Sequence, residues 1–480
     1  MKPRILVFNA LLLLIIVFGV YLRFYRLESR FPFAGEQGKE LLQIKSYIEQ
    51  GTIPLLGPAT SHPWLSFGPL FYWIMIPVVK LFSFSPLALA YLTAFLSTLL
   101  ILINYAVVSR FLGKLPALIS SFLFAVSYSL VQIANSSRFY SLVPLFFYPF
   151  FFFFVKASGR DRKAFFWLAF WLGIMLNFHY TPLILIPPAV YLVYRTKKVT
   201  REILLNVFSG LLLTQIPFII YNFKYGFEMI TKFSAWIFYR VLVFLRIYPG
   251  KTDAVISTDT SLKSLSNFLL NSFSPPVAVY RIIFVVFLLA ITFFVLGNRK
   301  SSKKSELVSL FIFLLFGVLA IFIHSSPPFH YYLPLYPIPI LIISIYLGQI
   351  LKIQRLKYFV YVFLFFALLF NLKFYFSMEW FYRPVNFIQG EYVPYDLQLR
   401  GTDAIIRDSK NMKYSLTRVG PNDQFEGDFA QNYVYLLWLR GNEPVNGQKL
   451  TYTIYEGTKP ASGEVIYNYG GLSIVKNEYE

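Results

Sequence analysis

Apolar runs about as long as a bilayer is thick recur along this chain, and they leave few folds open to it. The first, Ile5 to Tyr21, holds no charged residue, and a helix needs roughly 20 mostly apolar residues to cross the hydrocarbon core. Of 480 residues 57% are apolar and 14% charged, against roughly 25% charged in an average soluble domain. Water is a poor solvent for such a chain, and lipid is the expected one. A formal charge of +21 would raise nucleic acid as a partner of a soluble protein. Here the basic residues lie between apolar runs instead of in one patch, so no nucleic-acid partner is expected. Cysteine is absent, which leaves no disulfide framework and no thiolate metal site. The first run follows Lys2 and Arg4 like a signal sequence, but it ends in Tyr21, Arg23, Phe24 and Tyr25 without a small-residue cleavage site. It reads as an uncleaved first span.

Eleven segments read as spans: about 5–22, 86–109, 115–133, 140–155, 164–178, 180–195, 203–222, 277–297, 306–323, 331–350 and 356–376. The loops that this list assigns to the cytoplasm hold Arg110 and Lys114, the Lys156–Lys163 group, the Arg195–Arg201 group, the Arg299–Lys304 group, and Lys352, Arg355 and Lys357. That distribution obeys the positive-inside rule. Counting Pro69–Phe84 as a further span would invert every later loop. With Pro69, Pro77 and Lys80 in it, that stretch reads as an interfacial helix, as does Lys232–Tyr248 with Arg240 and Arg246.

The loops left outside are 23–85, 134–139, 179, 223–276, 324–330 and the tail from about 377. All four histidines, His62, His179, His324 and His330, fall at or beyond that face. The tail has ordinary polarity, with a predicted helix near Phe429–Leu439 and alternating strand patterns at Lys449–Tyr455 and Glu464–Tyr469. No internal repeat of the transporter kind is visible. The expected fold is an all-α polytopic membrane protein of about 11 transmembrane helices, with interfacial helices in the first outer loop (23–85) and a small C-terminal α+β extracytoplasmic domain. The expected domains are 1–376 in the membrane and 377–480 outside it. The expected location is the plasma membrane, multi-pass, with the N-terminus cytoplasmic.

The first outer loop reads Gly35-Glu36-Gln37-Gly38-Lys39-Glu40, then an amphipathic helical stretch to Glu49, and closes with Phe67-Gly68-Pro69-Leu70-Phe71-Tyr72-Trp73. Further along stand Asn135-Ser136-Ser137-Arg138, His179-Tyr180-Thr181, Pro217-Phe218-Ile219-Ile220-Tyr221-Asn222 and His330-Tyr331-Tyr332-Leu333-Pro334. In their order and topology these stretches resemble the glycosyltransferase C superfamily. The nearest likeness is to family 39 in its prokaryotic branch, with the protein O-mannosyltransferases and the lipid A aminoarabinose transferases as relatives. The resemblance covers residues 1 to about 376. It implies transfer from a polyprenyl phosphate sugar with inversion at the anomeric carbon, and an essential acid in the first outer loop. That acid is usually Asp, and Glu36 stands at its position. The extra methylene moves the carboxylate by about 1 Å, a displacement that can cost about 100-fold in rate. Either the pocket is adjusted to the longer acid, or the residue's role or the activity differs.

Moving a sugar from a lipid phosphate to a hydroxyl or amine needs a base at the acceptor and positive charge or donors at the departing phosphate. Glu36 is the candidate base. Arg138, whose guanidinium can fork two phosphate oxygens, leads the phosphate candidates, followed by His330, Lys39 and Lys224. His62, Tyr72, Trp73 and Tyr331 are candidate acceptor or sugar contacts. His179, between two apolar runs with no charged neighbour, reads as a structural histidine. No cofactor is required by these residues. A divalent metal ion is the one candidate, with Glu36, Glu40 and His62 as its ligands.

The leading reading is a membrane glycosyltransferase of the cell envelope, using a dolichyl or undecaprenyl phosphate sugar and an unidentified lipid, glycan or protein acceptor. A lipid-linked sugar flippase or transporter would carry ionisable residues at mid-membrane, and the predicted spans are nearly free of charge inside. A non-catalytic sugar-lipid binding member of the same family is the other alternative, supported by Glu in place of Asp.

Overall fold

The computed structural model describes residues 3–60, 62–159, 161–196, 200–245, 247, 258–297, 304–322, 329–377, 393–420, 429–460 and 463–478. His324 and Arg246 lie outside the described residues. Helices α1 (Pro3–Phe24), α2 (Leu27–Arg30), α3 (Gly35–Gln50) and α4 (Leu70–Leu81) lead through the first long loop. Next come α5 (Leu87–Phe111), α6 (Lys114–Val126), α7 (Tyr128–Ser136), α8 (Val143–Ser158), α9 (Ala164–Leu176), α10 (Ile186–Thr196) and α11 (Arg201–Lys224). They are followed by α12 (Glu228–Phe244), α13 (Thr258–Asn271), α14 (Ala278–Gly297), α15 (Lys304–Phe322), α16 (Pro337–Ile350) and α17 (Lys357–Ser377).

This is a multi-pass membrane protein. Five helices are long and apolar enough to cross a bilayer by themselves: Leu6–Phe24, Leu87–Phe111, Phe139–Ser158, Arg201–Lys224 and Lys357–Phe376. Helices α6 and α7 meet the same standard as a pair, bent by 58°. Among the described residues, length and composition by themselves thus show five crossings, or six with the bent pair, and the other predicted spans contain shorter apolar stretches. Proline shortens two of them, Thr181–Tyr191 and Pro337–Ile350. Thr181–Leu185 and Phe329–Tyr332 are 3-10 turns, and Pro182 and Pro337 stand where a continuous α-helix would need a backbone donor. The stretch kept off the span list is a helix of 12 residues with Pro77 inside it.

The predicted span 115–133 is broken, and the break is built. At Ser127 the backbone leaves the helix (φ −57°, ψ 121°), which strips the last α6 carbonyls and the first α7 amide of partners. Arg23 of α1 supplies the missing donors. Its Nη2 donates to the Phe124 carbonyl at 3.0 Å, Nη1 to Ala125 at 3.1 Å and to Gly19 at 3.2 Å, and Nε to Ser97 Oγ at 2.8 Å. The opposite side is closed by Asn371 of α17, whose Oδ1 accepts the Tyr128 N–H at 2.8 Å while its Nδ2 donates to Phe273 and Ala367 carbonyls. A cation at the negative end of α6 also suits the helix dipole. Nearby, Asn104 of α5 donates to Ser120 and Ser121 of α6 at 2.9 and 2.8 Å, a polar tie between two apolar helices.

After α17 the described chain resumes in α18 (Tyr395–Ser409), β1 (Ser415–Val419), α19 (Gln431–Leu439), β2 (Leu450–Glu456), β3 (Glu464–Tyr469) and β4 (Leu472–Glu478). The sheet order is β1-β2-β4-β3, with β1 parallel to β2 and the other pairs antiparallel. Leu450, Tyr452 and Ile454 alternate inward from β2 to meet Leu397, Ile405, Tyr433 and Leu437 of the two helices, giving this unit a core of its own. The helix and strands expected from pattern are present. Helix α18 and strands β1 and β4 had not been expected.

Replacing Arg23 by Met should strand the Phe124 and Ala125 carbonyls and cost about 2–4 kcal/mol, and Asn371→Ala about 1–3 kcal/mol. Denaturation of the detergent-solubilised protein measures both, and an Arg23→Met protein as stable as wild type would contradict this account of the break.

Candidate active site

The first turn of α3 carries Glu36. Ala34, in extended conformation, is its N-cap, and Gln37 at the third position reaches back so that its Oε1 accepts the Ala34 N–H at 3.1 Å. The same amide donates through Nε2 to the Ser136 carbonyl at 3.0 Å, at the C-terminal end of α7. The α7 C-cap is Ser137, held in the left-handed region (φ 54°) by hydrogen bonds of its hydroxyl to the Asn135 carbonyl and to Thr93 Oγ1. That turn throws Arg138 outward in extended conformation. Its Nε stands 3.3 Å from Glu36 Oε2, with both side chains about a quarter exposed (23% and 26%). Each charge therefore sits at the helix end of complementary polarity: the acid at an N-terminus, the base beyond a C-terminus.

Arg138 also donates through Nη1 to the Tyr140 hydroxyl at 2.5 Å. The Tyr140 ring stacks on His330, centroids 4.5 Å apart and planes 24° apart. His330 meets His179 edge-on at 5.1 Å, and Tyr331 closes on both histidines at 5.0 and 5.6 Å. Phe67, at the end of the first loop, packs on His179 at 5.3 Å, and the Tyr180 hydroxyl donates to the Ser66 carbonyl at 2.8 Å. Four segments far apart in sequence thus form one wall leading away from the ion pair. His179 Nδ1 accepts the Thr181 N–H at 3.2 Å and lies 2.9 Å from Thr181 Oγ1. In the neutral ring the proton therefore resides on Nε2. Burial, and secondarily the neighbouring His330, lower its pKa to about 3. That shift favours the neutral ring over the cation at physiological pH.

The other predicted residues stand elsewhere. Tyr72 is buried, and its hydroxyl donates to Glu40, which is 5% exposed. The two candidates, one for a sugar contact and one for a metal ligand, are thus paired with each other below the surface. His62 stacks on Trp64 at 5.3 Å and meets Tyr239 of α12 at 6.2 Å. Among the described residues no group of three or more His, Asp or Glu could hold a metal, so Glu36, Glu40 and His62 are not gathered into the expected site. Lys224 is exposed at the end of α11, its ammonium 5.3 Å from the Tyr225 ring. Lys39 lies on α3, partly exposed, three residues past Glu36. Trp73 donates to the Pro54 carbonyl at 2.9 Å and lines a cleft of about 470 Å³ with Tyr47, Ile53 and Lys80, toward the far end of α3. Sequence reasoning missed Tyr140 and Gln37, and took His179 for a structural residue. The adjacency of Tyr140 to Arg138, and of His179 to Thr181, was the available signal.

The family described as dolichyl-phosphate-mannose-protein mannosyltransferase matches residues 61–221, a stretch that holds Arg138, Tyr140 and His179. Among solved structures, ArnT from Cupriavidus metallidurans bound to undecaprenyl phosphate superposes with a TM-score of 0.61 over 99% of this chain and 98% of that one, at 10% identity. The chain thus shares its fold with these proteins, and a third of it matches that family. The same ArnT in its apo state gives a TM-score of 0.62 at 12% identity, over 98% of each chain. The archaeal oligosaccharyltransferase AglB from Archaeoglobus fulgidus, in complex with an inhibitory peptide and a dolichol-phosphate, gives 0.52 at 12% identity over 95% of this chain and 70% of that one. At such identities the likeness is one of fold. No curated protein matches the sequence.

Neutral, Nε2-protonated His179 is directly observable, because the chain has only 4 histidines. In 15N-histidine spectra the signal removed by His179→Gln should show no titration from pH 5 to 8. A midpoint near the usual 6.5 for that signal would overturn the assignment.

Proposed function

We propose that this chain is a glycosyltransferase of the C superfamily and moves a single sugar from a polyprenyl phosphate carrier to a hydroxyl or amine acceptor on the extracytoplasmic face of the plasma membrane. The observation that carries the reading is the Glu36–Arg138 pair at 3.3 Å, where two helix ends meet beside a wall of histidines and aromatic rings. A base and a phosphate ligand are the two groups that the reaction needs, and they stand in contact. The bound lipid phosphates of ArnT and AglB, proteins of the same fold, support a lipid phosphate as the donor's leaving group.

In this reading the acceptor oxygen or nitrogen attacks the anomeric carbon from the face opposite the phosphate. The bond from that carbon to the phosphate oxygen breaks, and configuration inverts. The acceptor proton passes to Glu36, and the bond electrons leave with the polyprenyl phosphate. Arg138, with five N–H donors in a planar fork, can serve both the carboxylate and a phosphate. An arriving phosphate competes with Glu36 for the guanidinium. A carboxylate that loses a cationic partner becomes a stronger base, so donor binding itself would activate the acid. His330, with neutral His179 behind it, would offer further donors to the phosphate. No metal is invoked in any step.

A second reading, a non-catalytic sugar-lipid binder, is favoured by one feature: Glu36 is a methylene longer than the acid usual at its position. Purified protein assayed with a panel of polyprenyl phosphate sugars separates the two. Glu36→Gln should lose about 10²–10⁴-fold in transfer, the usual worth of a general base, while retaining polyprenyl phosphate binding. Equal inertness of wild type, Glu36→Gln and Glu36→Asp on every donor would sink the enzyme reading. Full transfer by Glu36→Gln would sink the base assignment alone.

The same proposal has eleven crossings, the N-terminus in the cytoplasm and the C-terminal unit outside. Because the chain has no cysteine, a Lys410→Cys variant in intact cells should react with a membrane-impermeant maleimide, and a Ser109→Cys variant only after permeabilisation. The reverse pattern would invert the orientation.

A further inference from the structure

The first turn of α3 is gripped on two sides. Toward the membrane, Gln37 and Glu36 reach the end of α7 and Arg138. On the other side lies α19 of the C-terminal unit. Gly38, two residues beyond Glu36, meets the α19 backbone so closely that a Cβ would stand 2.3 Å from the Asn432 nitrogen and 2.4 Å from the Gln431 carbonyl carbon. Those are backbone atoms, so no rotamer change can make room. Two buried amides also converge on the turn that enters α3. Gln398 Nε2 donates to the Phe33 carbonyl at 2.6 Å, and Asn432 Nδ2 lies 3.3 Å from the same oxygen and 2.8 Å from Gln398 Oε1. Farther along, the Lys45 ammonium lies over the Trp438 ring at 4.5 Å, and the Tyr435 hydroxyl donates to the Phe84 carbonyl at 2.6 Å. Helix α19 is itself tied to the sheet, because the Tyr433 hydroxyl donates to Glu456, whose other oxygen receives Arg418 in a pair only 2–3% exposed.

We propose that the C-terminal α+β unit is a positioning element for Glu36, acting through Gly38 and Asn432. Two residues span about 3 Å along a helix axis, so Gly38 cannot shift without carrying Glu36 with it. Asn432 and Gln398 hold the Phe33 carbonyl and so set where the helix begins. The unit thereby stations the carboxylate against Arg138, and a displacement of about 1 Å there is worth about 100-fold in rate. The rate arm of this inference rests on the proposed role of Glu36, whereas the positional arm does not.

The absence of native cysteine allows both to be read. Spin labels at Gln43→Cys on α3 and Gln132→Cys on α7, both exposed positions, report the α3–α7 distance in nanodiscs. Gly38→Ala, and the milder Asn432→Ala should the first not fold, should shift or broaden that distance. Asp403→Ala, an exposed position on α18, should not. On whichever polyprenyl phosphate sugar of the panel is active, turnover should fall about 100-fold while KM for that donor and binding of undecaprenyl phosphate stay as in wild type. Unchanged distances in both variants would overturn the proposal, and so would shifted distances with full turnover. If every donor of the panel is inert, the distances alone decide: a shift in either variant sustains the positioning role and none removes it.

Discussion

A single guanidinium inside the membrane half sets what the rest can do. Arg23 is fully buried, has no carboxylate partner among the described residues, and spends its donors on backbone carbonyls and one serine. A charge in that setting is costly unless every donor is used. A helix broken within an apolar layer is equally costly, since its freed carbonyls have no water to turn to. Each defect is the remedy for the other. Arg30 extends the arrangement by donating to the Leu22 and Arg23 carbonyls, so the end of α1 is knotted to the break. Because the break turns α7 by 58° from α6, Ser136, Ser137 and Arg138 arrive beside the start of α3.

The meeting of α3 and α7 is one helix beginning where another ends. Left alone, the α7 carbonyls and the α3 amides would each need solvent. Gln37 bridges them, capping α3 through Ala34 and taking the Ser136 carbonyl with the same side chain. The charges follow the dipoles, with Glu36 on the positive end and Arg138 past the negative one. An ion pair of this kind fixes the direction of both side chains. The aromatic and histidine wall beyond adds shape, and burial together with the neighbouring His330 holds the His179 pKa below its usual value.

Glu36, Arg138 and His330 were legible as residues because charge and imidazole are rare beside long apolar runs, and their order along the chain carries a family resemblance. Their pairing was not legible. Lys224 and Arg138 look alike in sequence, both basic and both next to a span, and only one stands against Glu36. Tyr72 was a candidate acceptor or sugar contact because of its place near the outer face. The structure turns its hydroxyl inward onto Glu40, a pairing that the sequence did not show. His179 was undervalued because its partners, Phe67, Tyr140 and His330, come from three other segments. The eleven apolar segments were each located, yet apolarity reports preference for lipid and not unbroken helix. Prolines, the 3-10 turns and the Ser127 break are decided by local backbone geometry and by whether a distant side chain can satisfy what the break exposes.

By itself the sequence determined the solvent of this protein, the sites of its helices, the polarity of its tail and the few residues able to do acid-base or phosphate chemistry. Those properties are local, written in composition and period. Tertiary structure alone decided which acid meets which base, that a predicted span is two half-helices, and that a tail of ordinary polarity reaches back to grip the first turn of α3. Such properties depend on atoms hundreds of residues apart meeting within 3 Å or so, a distance at which hydrogen-bond satisfaction, and not hydropathy, selects the arrangement.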